Sequence, residues 1–188
     1  MEEYKERITG YHSNMESKII KFQNKELPLL ESLEDGYWLG KGMYFWDNYG
    51  NAQYWQRKVN GRKIVKVILS LENLLDLTDK NHLRKLKKSF SMLKKKGSRS
   101  IDFAKLEDEY ELGLVINTIF KESDKFSEWF HIVKCHGLYR DWTENDILTG
   151  KKIKINEIER SNFVTSVVKT IYCVKDERAI YHIYGEGE

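Results

Sequence analysis

Residues 40–55 read Gly-Lys-Gly-Met-Tyr-Phe-Trp-Asp-Asn-Tyr-Gly-Asn-Ala-Gln-Tyr-Trp, and they carry more information about fold and function than any other stretch. Two glycines flank a lysine, and two tyrosines follow at a spacing that suits a strand and then a helix. Gly40 and Gly42 tolerate positive φ and lack a Cβ atom, so a flat ligand can approach their backbone closely. Tyr44 and Tyr54 each offer a ring face and a polar hydroxyl. The segment therefore predicts a site that binds an aromatic heterocycle by stacking.

Length and composition indicate a globular chain. The 188 residues are 40% apolar and 32% charged, which suffices for one domain with its own core. Cys135 and Cys173 fit neither a secreted disulfide framework nor a metal motif, so we expect a cytoplasmic protein. No stretch of the sequence approaches the ~18 apolar residues of a membrane span, and the acidic N-terminus is unlike a signal peptide. We therefore expect no membrane association.

Hydrophobic periodicity predicts an α+β fold, with the helices concentrated in the first two-thirds of the chain. We expect one domain over residues 1–188 with a helical insertion at about 79–125. The predicted strands cover residues 8–13, 43–45, 63–69, 74–77 (as a continuation of the third strand), 130–134, 152–155, 170–175 and 179–184, the last two forming a pair. The predicted helices cover residues 15–22, 51–58, 80–96 and 105–120. Asn14 is expected to cap the first helix, and Thr78 or Asp79 the third.

A basic segment interrupts an otherwise acidic chain. Residues 80–99 contain nine Lys or Arg and no acid, which leaves 23 basic and 29 acidic residues elsewhere. Leu83, Leu86, Phe90 and Leu93 give this segment one apolar face, so its lysines share the other face. Such a face can bind a phosphate backbone, and it can equally be a solvated helix surface. The predicted nucleic-acid contacts are Lys87, Lys88, Lys94, Lys95 and Lys96.

The segment from Gly40 to Tyr54 resembles the second signature of the ADP-ribosyltransferase superfamily, in its poly-ADP-ribose-polymerase branch. Tyr11-His12-Ser13, about thirty residues earlier, resembles the first signature, with Ser13 in place of the usual glycine. The resemblance implies a split β-sheet core carrying an inserted basic helical segment. It also implies that Tyr44 and Tyr54 clamp the nicotinamide of NAD and that His12 binds the adjacent ribose. The backbone at Ser13 would hold the carboxamide, and Gly40 and Gly42 would complete the NAD-binding residues.

The third family signature is a glutamate on a late strand, and this chain departs from it. Ile171, or Thr170 after a shift of one residue, stands at that position. The aliphatic residue is similar to the pattern of mono-ADP-ribosylating relatives and argues against polymer synthesis. The predicted catalytic residues are therefore His12, Tyr44 and Ile171. Glu157 and Glu159 are candidates for activating the acceptor, and Arg57, Lys58, Arg62 and Lys63 for neutralising the NAD diphosphate.

The resemblance implies a bacterial mono-ADP-ribosyltransferase that consumes NAD as substrate. It would act as a toxin or defence effector on nucleic acid, RNA in particular, or on protein, and an antitoxin partner would accompany it. Two alternatives stay open: a degenerate fold that binds NAD, ADP-ribose or nucleic acid without catalysis, and an NAD glycohydrolase. His131, Cys135 and His136 lack a fourth ligand at a standard spacing, so we expect no metal site.

Overall fold

A seven-stranded mixed sheet forms the centre of the molecule. The structure is a computed structural model that describes residues 6–32, 38–96, 112–138, 143–145, 152–154 and 168–185. The strands are β1 Arg7–Met15, β2 Met43–Trp46, β3 Arg62–Ser70, β4 Leu74–Asp76, β5 Ile132–Leu138, β6 Thr143–Asn145, β7 Lys152–Lys154, β8 Val168–Val174 and β9 Ile180–Ile183. The helices are α1 Glu16–Gln23, α2 Tyr49–Lys58, α3 Lys80–Lys96, α4 Leu112–Glu122 and α5 Asp124–Trp129.

The order of strands in the sheet is β4-β5-β8-β2-β1-β3-β9, and β6 pairs with β7 in a separate ribbon. β4 runs parallel to β5, and the other neighbours in the large sheet are antiparallel. Within the described ranges, no helix has both the length and the apolar character needed to cross a bilayer. The molecule therefore combines helices and strands around one mixed sheet, as the α+β prediction requires at that level.

The two faces of the sheet bury separate cores because successive strand residues point to opposite sides. On one face, Cys173 and Ile171 pack with residues of α3, α4 and α5, among them Leu86, Ile116 and Phe126. On the other face, a second cluster gathers Ile19, Phe22, Met43, Phe45, Val65 and Val67. α1 covers this second face, and the basic helix α3 belongs to the first.

Several local predictions are confirmed. β1, β2, β3, α1, α2 and α3 lie within a few residues of the expected bounds. Asp79 caps α3, since its Oδ1 accepts hydrogen bonds from the backbone N–H groups of Asn81 and His82 at 2.7 and 3.0 Å. The predicted helix over 105–120 falls partly outside the described residues, which contain α4 from Leu112 onward.

Three predictions of strand pairing and capping are wrong. β4 does not continue β3; it lies at the far edge of the sheet, beside β5. β8 and β9 are not neighbours, because β2, β1 and β3 lie between them. Asn14 does not cap α1: its Oδ1 accepts from the N–H of Met15, and its amide lies 3.2 Å from Nε2 of His12. Each error concerns contacts between residues far apart in sequence or a side chain that serves a neighbouring strand residue instead.

β1 and β2 diverge, and this divergence creates the candidate site. β1 pairs with β3 along its whole length, from Arg7 with Ser70 to Met15 with Arg62. Between the described residues of β1 and β2, the recorded pairing is the one position where Tyr11 meets Trp46. Beyond that position the two strands separate, so side chains of both strands line the space between them.

Candidate active site

A cleft of about 330 Å³ opens where β1 and β2 separate. Five residues predicted from three distant sequence motifs line it together: His12, Ser13, Gly42, Tyr44 and Ile171. The other lining residues are Asn14, Leu30, Glu31, Ser32, Trp38, Trp46, Trp55 and Arg62. The cleft therefore joins the first motif on β1, the second on β2 and the third on β8.

His12 bridges the two diverging strands. Its Nδ1 donates to the carbonyl oxygen of Tyr44 at 2.7 Å, which fixes the tautomer and leaves Nε2 as an acceptor. The side-chain amide of Asn14 lies 3.2 Å from that Nε2. Burial lowers the pKa of His12 from 6.5 to about 4; the Tyr44 carbonyl opposes this, and the positive charge of Arg62 adds to it. The imidazole is therefore neutral at physiological pH, with an acceptor nitrogen suited to a hydroxyl group.

The loop before β2 is held in place by the hydroxyl of Tyr44. This hydroxyl donates to the carbonyl of Gly40 at 2.6 Å and accepts from the N–H of Leu39 at 3.1 Å. Gly40 has φ of +79°, and a Cβ atom there would lie 2.2 Å from Oδ1 of Asn117. Gly40 is not among the residues lining the cleft, so its role is to let the loop pass close to α4.

Side chains from α4 and β8 fasten the same loop from below. Asn117 Oδ1 accepts from the N–H of Lys41 at 2.7 Å. The ammonium of Lys175, just after β8, donates to the carbonyl of Leu39 at 2.6 Å and to that of Lys41. A Cβ atom on Gly42 would lie 2.5 Å from Sγ of Cys173, so only glycine fits against β8 here. The Gly-Lys-Gly segment is thus a rigid wall of the cleft.

The aromatic lining differs from the sequence prediction. Tyr54 is 50% exposed, does not line the cleft, and has the ammonium of Lys58 4.7 Å from its ring centroid. Its neighbour Trp55, which we interpret from sequence as a core residue, lines the cleft and stacks on Trp46 with ring planes 11° apart. The helical twist of α2 explains the exchange, since consecutive residues face about 100° apart around a helix. Trp55 and Tyr44 are therefore the aromatic groups available to a planar ligand.

The third motif supplies an apolar wall. Ile171 is 1% exposed, pairs in register with Trp46 and lines the cleft. Among the described lining residues, Glu31 contributes the carboxylate, and it forms an ion pair of 3.1 Å with Lys41. Two backbone hydrogen bonds between Ser32 and Gly42, at 2.8 and 3.3 Å, join the Glu31 segment to the start of β2. Glu157 and Glu159, the predicted acceptor-activating residues, lie outside the described residues.

The predicted nucleic-acid contacts lie on one helix away from its apolar face. Lys87, Lys88, Lys94 and Lys95 are exposed on α3, whereas Leu86 and Leu93 are buried against the sheet. The side chain of Lys96 falls outside the described ones, although its backbone ends α3. We call this exposed lysine surface the α3 basic face. Its charges are clustered as predicted, and no contact with the cleft lining is recorded for them in the described part of the chain.

Sequence reasoning missed Asn14, Glu31, Trp38 and Trp55 as lining residues. Asn14 has the local signature of a helix cap, which conceals its contact with His12. Glu31 and Trp38 flank a loop that shows no periodicity, so nothing in the sequence indicates which way they face. For Trp55, the helical spacing from Ala52, which is fully buried, points to the sheet side of α2 and is a usable signal.

Comparisons with known proteins identify no relative. No family model, no curated protein and no solved structure matches this chain. The resemblance of the three motifs is therefore an argument from the residues themselves and from their convergence on the cleft.

Proposed function

We propose that this protein is a mono-ADP-ribosyltransferase that cleaves NAD and transfers ADP-ribose to a macromolecular acceptor. The observation that carries the proposal is the convergence of His12, Ser13, Gly42, Tyr44 and Ile171 on one cleft. Three segments separated by many residues meet there, and each segment was selected from sequence for its likeness to a superfamily signature. A chance likeness in three places would not require the three to share a cavity.

The neutral state of His12 suits the ribose of NAD. Its Nε2 can accept a hydrogen bond from a sugar hydroxyl, while the Tyr44 carbonyl keeps the proton on Nδ1. Tyr44 and Trp55 offer ring surfaces for the nicotinamide, and Trp46 backs Trp55. An aromatic cleft of this kind orients the leaving group and excludes water, which favours an oxocarbenium-like transition state.

Glu31 is the carboxylate we assign to the transfer step. The bond between C1′ of the ribose and the nicotinamide nitrogen breaks, and its electron pair stays on nicotinamide, which leaves as a neutral molecule. The acceptor's nucleophilic atom forms the new bond to C1′ and gives its proton to Glu31. The ion pair with Lys41 keeps Glu31 at the cleft, although it belongs to a loop rather than to the late strand of the family pattern.

Nucleic acid, RNA in particular, is the acceptor we favour over protein. The α3 basic face supplies exposed lysines without an intervening acid, which suits a phosphate backbone irrespective of sequence. A toxin or defence role and an antitoxin partner stay predictions from the resemblance.

A second candidate function is binding without catalysis. It is favoured by the buried Ile171 at the position where the family pattern has its glutamate. In that case the cleft would hold NAD or ADP-ribose, and the α3 basic face would bind nucleic acid independently.

One experiment separates these functions. The purified protein is incubated with NAD labelled on the adenylate phosphate and with total RNA, DNA or cell lysate, and both nicotinamide release and label transfer are followed. Transfer to RNA, abolished in Tyr44→Ala, is the expected result. Release without transfer indicates a glycohydrolase, and neither release nor transfer indicates a binding protein. Full transfer by Tyr44→Ala would contradict the site.

A further inference from the structure

Two polar side chains lie together at one corner of the cleft. In the antiparallel register of β1 and β3, Ser13 pairs with Ile64 and Met15 pairs with Arg62. Ser13 and Arg62 are therefore on the same face of the sheet, at diagonal positions whose side chains can reach each other. Both line the cleft, and α2 with Trp55 lies above them.

Both side chains hold a buried polar atom that lacks a partner. Oγ of Ser13 and Nε of Arg62 are inaccessible to solvent and make no hydrogen bond within the described part of the chain. One terminal nitrogen of Arg62 donates to the carbonyl of Trp55 at 3.3 Å, which anchors the guanidinium while leaving Nε unused. Buried donors are costly to leave unpaired, and native structures seldom hold two in one corner. Their position in a cleft wall indicates that a ligand completes them.

The charge of this corner selects an anion. Arg62 carries a positive charge, and the nearby His12 is neutral because the Tyr44 carbonyl and burial hold it in one tautomer. The carboxylate recorded in the described lining, that of Glu31, is already paired with Lys41. A guanidinium anchored at one nitrogen and a hydroxyl beside it match the oxygens of a phosphate group.

We propose that Ser13 and Arg62 form a phosphate subsite of the cleft, with Nε of Arg62 and the hydroxyl of Ser13 donating to phosphate oxygens. This inference deepens the proposed function, because in NAD the group that would lie there is the diphosphate. It assigns Ser13 a side-chain role in addition to the backbone role implied by the family resemblance. It also makes Arg62 the cation for the diphosphate, in preference to Arg57, Lys58 and Lys63.

The test measures binding of ADP-ribose, inorganic pyrophosphate and nicotinamide separately, by titration calorimetry on the intact chain. Arg62→Gln should weaken ADP-ribose and pyrophosphate by at least about tenfold, since a charged hydrogen bond is lost, and leave nicotinamide within about twofold. Ser13→Ala should weaken the same two ligands by about threefold to tenfold. Arg57→Gln, the same charge change at an exposed position of α2, should change neither.

Arg62→Lys distinguishes a directed donor from charge alone, because lysine keeps the charge and loses the planar fork. Less affinity for ADP-ribose than in the wild-type protein, with a normal unfolding midpoint, supports the subsite. Wild-type affinity in both Arg62→Gln and Arg62→Lys would overturn it.

The failure of the subsite and that of the proposed function give different results. Binding of pyrophosphate that depends on Arg62, without binding of NAD, would keep the subsite and reject NAD as the substrate. Binding of NAD that is indifferent to Arg62 and Ser13 would keep NAD as substrate and reject the subsite.

Discussion

Nδ1 of His12 lies 2.7 Å from the carbonyl oxygen of Tyr44, so a side chain of β1 makes a hydrogen bond that the diverging backbones of β1 and β2 leave unmade. The bond joins the first and second sequence motifs directly. It also explains how the sheet can open into a cleft without leaving that carbonyl unpaired, which would be costly in a buried position. The two residues that the motif comparison selects are thus mutually dependent.

Acid should weaken both folding and ligand binding through His12. Its pKa in the folded protein is about 4, below the ordinary 6.5, so the unfolded chain takes up the proton first as the pH falls. Stability present above about pH 6.5 is therefore lost progressively towards about pH 4, by roughly 3 kcal/mol from this residue alone. Urea unfolding at a series of pH values measures this loss, which His12→Gln should largely remove. NAD affinity should be constant from about pH 8 to pH 5, and a transition near pH 6.5 that depends on His12 would contradict the assignment.

Trp55, rather than Tyr54, should matter for NAD binding. Trp55→Ala removes an aromatic wall of the cleft and should lower NAD affinity by at least about tenfold. Tyr54→Ala is the matched control, an aromatic deletion one residue away on the same helix, and should stay within about twofold of wild type. Calorimetric titration with NAD measures both, with unfolding midpoints to check the fold. A larger loss for Tyr54→Ala would restore the sandwich predicted from sequence.

Glu31 should act on turnover more than on NAD binding. Glu31→Gln removes the carboxylate that takes the acceptor proton and should lower kcat for transfer by about a hundredfold, with KM for NAD within about threefold. Lys41→Gln breaks the same ion pair but retains the carboxylate, so it should keep most of the activity. Equal losses in the two variants would show that only the ion pair matters.

The α3 basic face should govern affinity for RNA. Lys87→Glu, Lys88→Glu and Lys94→Glu combined should weaken binding of single-stranded RNA and flatten the dependence of its logarithm on salt, by about 0.7 per lost phosphate contact. Lys18→Glu, Lys21→Glu and Lys125→Glu combined change the net charge equally at exposed positions of α1 and α5. Filter binding over a range of salt concentrations compares the two. Similar affinities in both triple variants would remove the preference for nucleic acid.

Gly40 should tolerate no side chain. Gly40→Ala places a Cβ atom 2.2 Å from Oδ1 of Asn117 and 2.5 Å from the carbonyl of Gly113, at φ of +79°. We expect a loss of about 2 kcal/mol or more in the free energy of unfolding, measured with urea. Gly50→Ala, whose Cβ would lie 3.1 Å from Oδ1 of Asn48, is the control and should change it by less than about 1 kcal/mol. A Gly40→Ala variant as stable as wild type would contradict the close approach of the loop to α4.

Sequence periodicity predicted the elements whose signal is local. β3 has β-branched alternation, and α3 has an apolar stripe with Asp79 as its cap, so both were found. The pairing of β4 with β5 was not found, because a short apolar segment carries no information about its distant partner.

The site was predicted to the extent that its residues belong to motifs. His12, Tyr44 and Ile171 meet in the cleft because the strands that carry them lie close together in the sheet. Tyr54 and Trp55 were exchanged because a one-residue step around a helix changes the direction of a side chain, and both residues are aromatic. Glu31 comes from a loop, where neither a period of 2 nor one of 3.6 indicates direction.

The ammonium of Lys175 that grips the carbonyls of Leu39 and Lys41 has a consequence for biosynthesis. β8 separates β5 from β2 in the sheet, yet it is translated long after β2. A ribosome-bound chain that ends before β8 leaves the Gly-Lys-Gly loop without its anchor and Ile171 without its place. The NAD cleft is therefore assembled late, which would keep an unfinished polypeptide inactive until translation has passed residue 175.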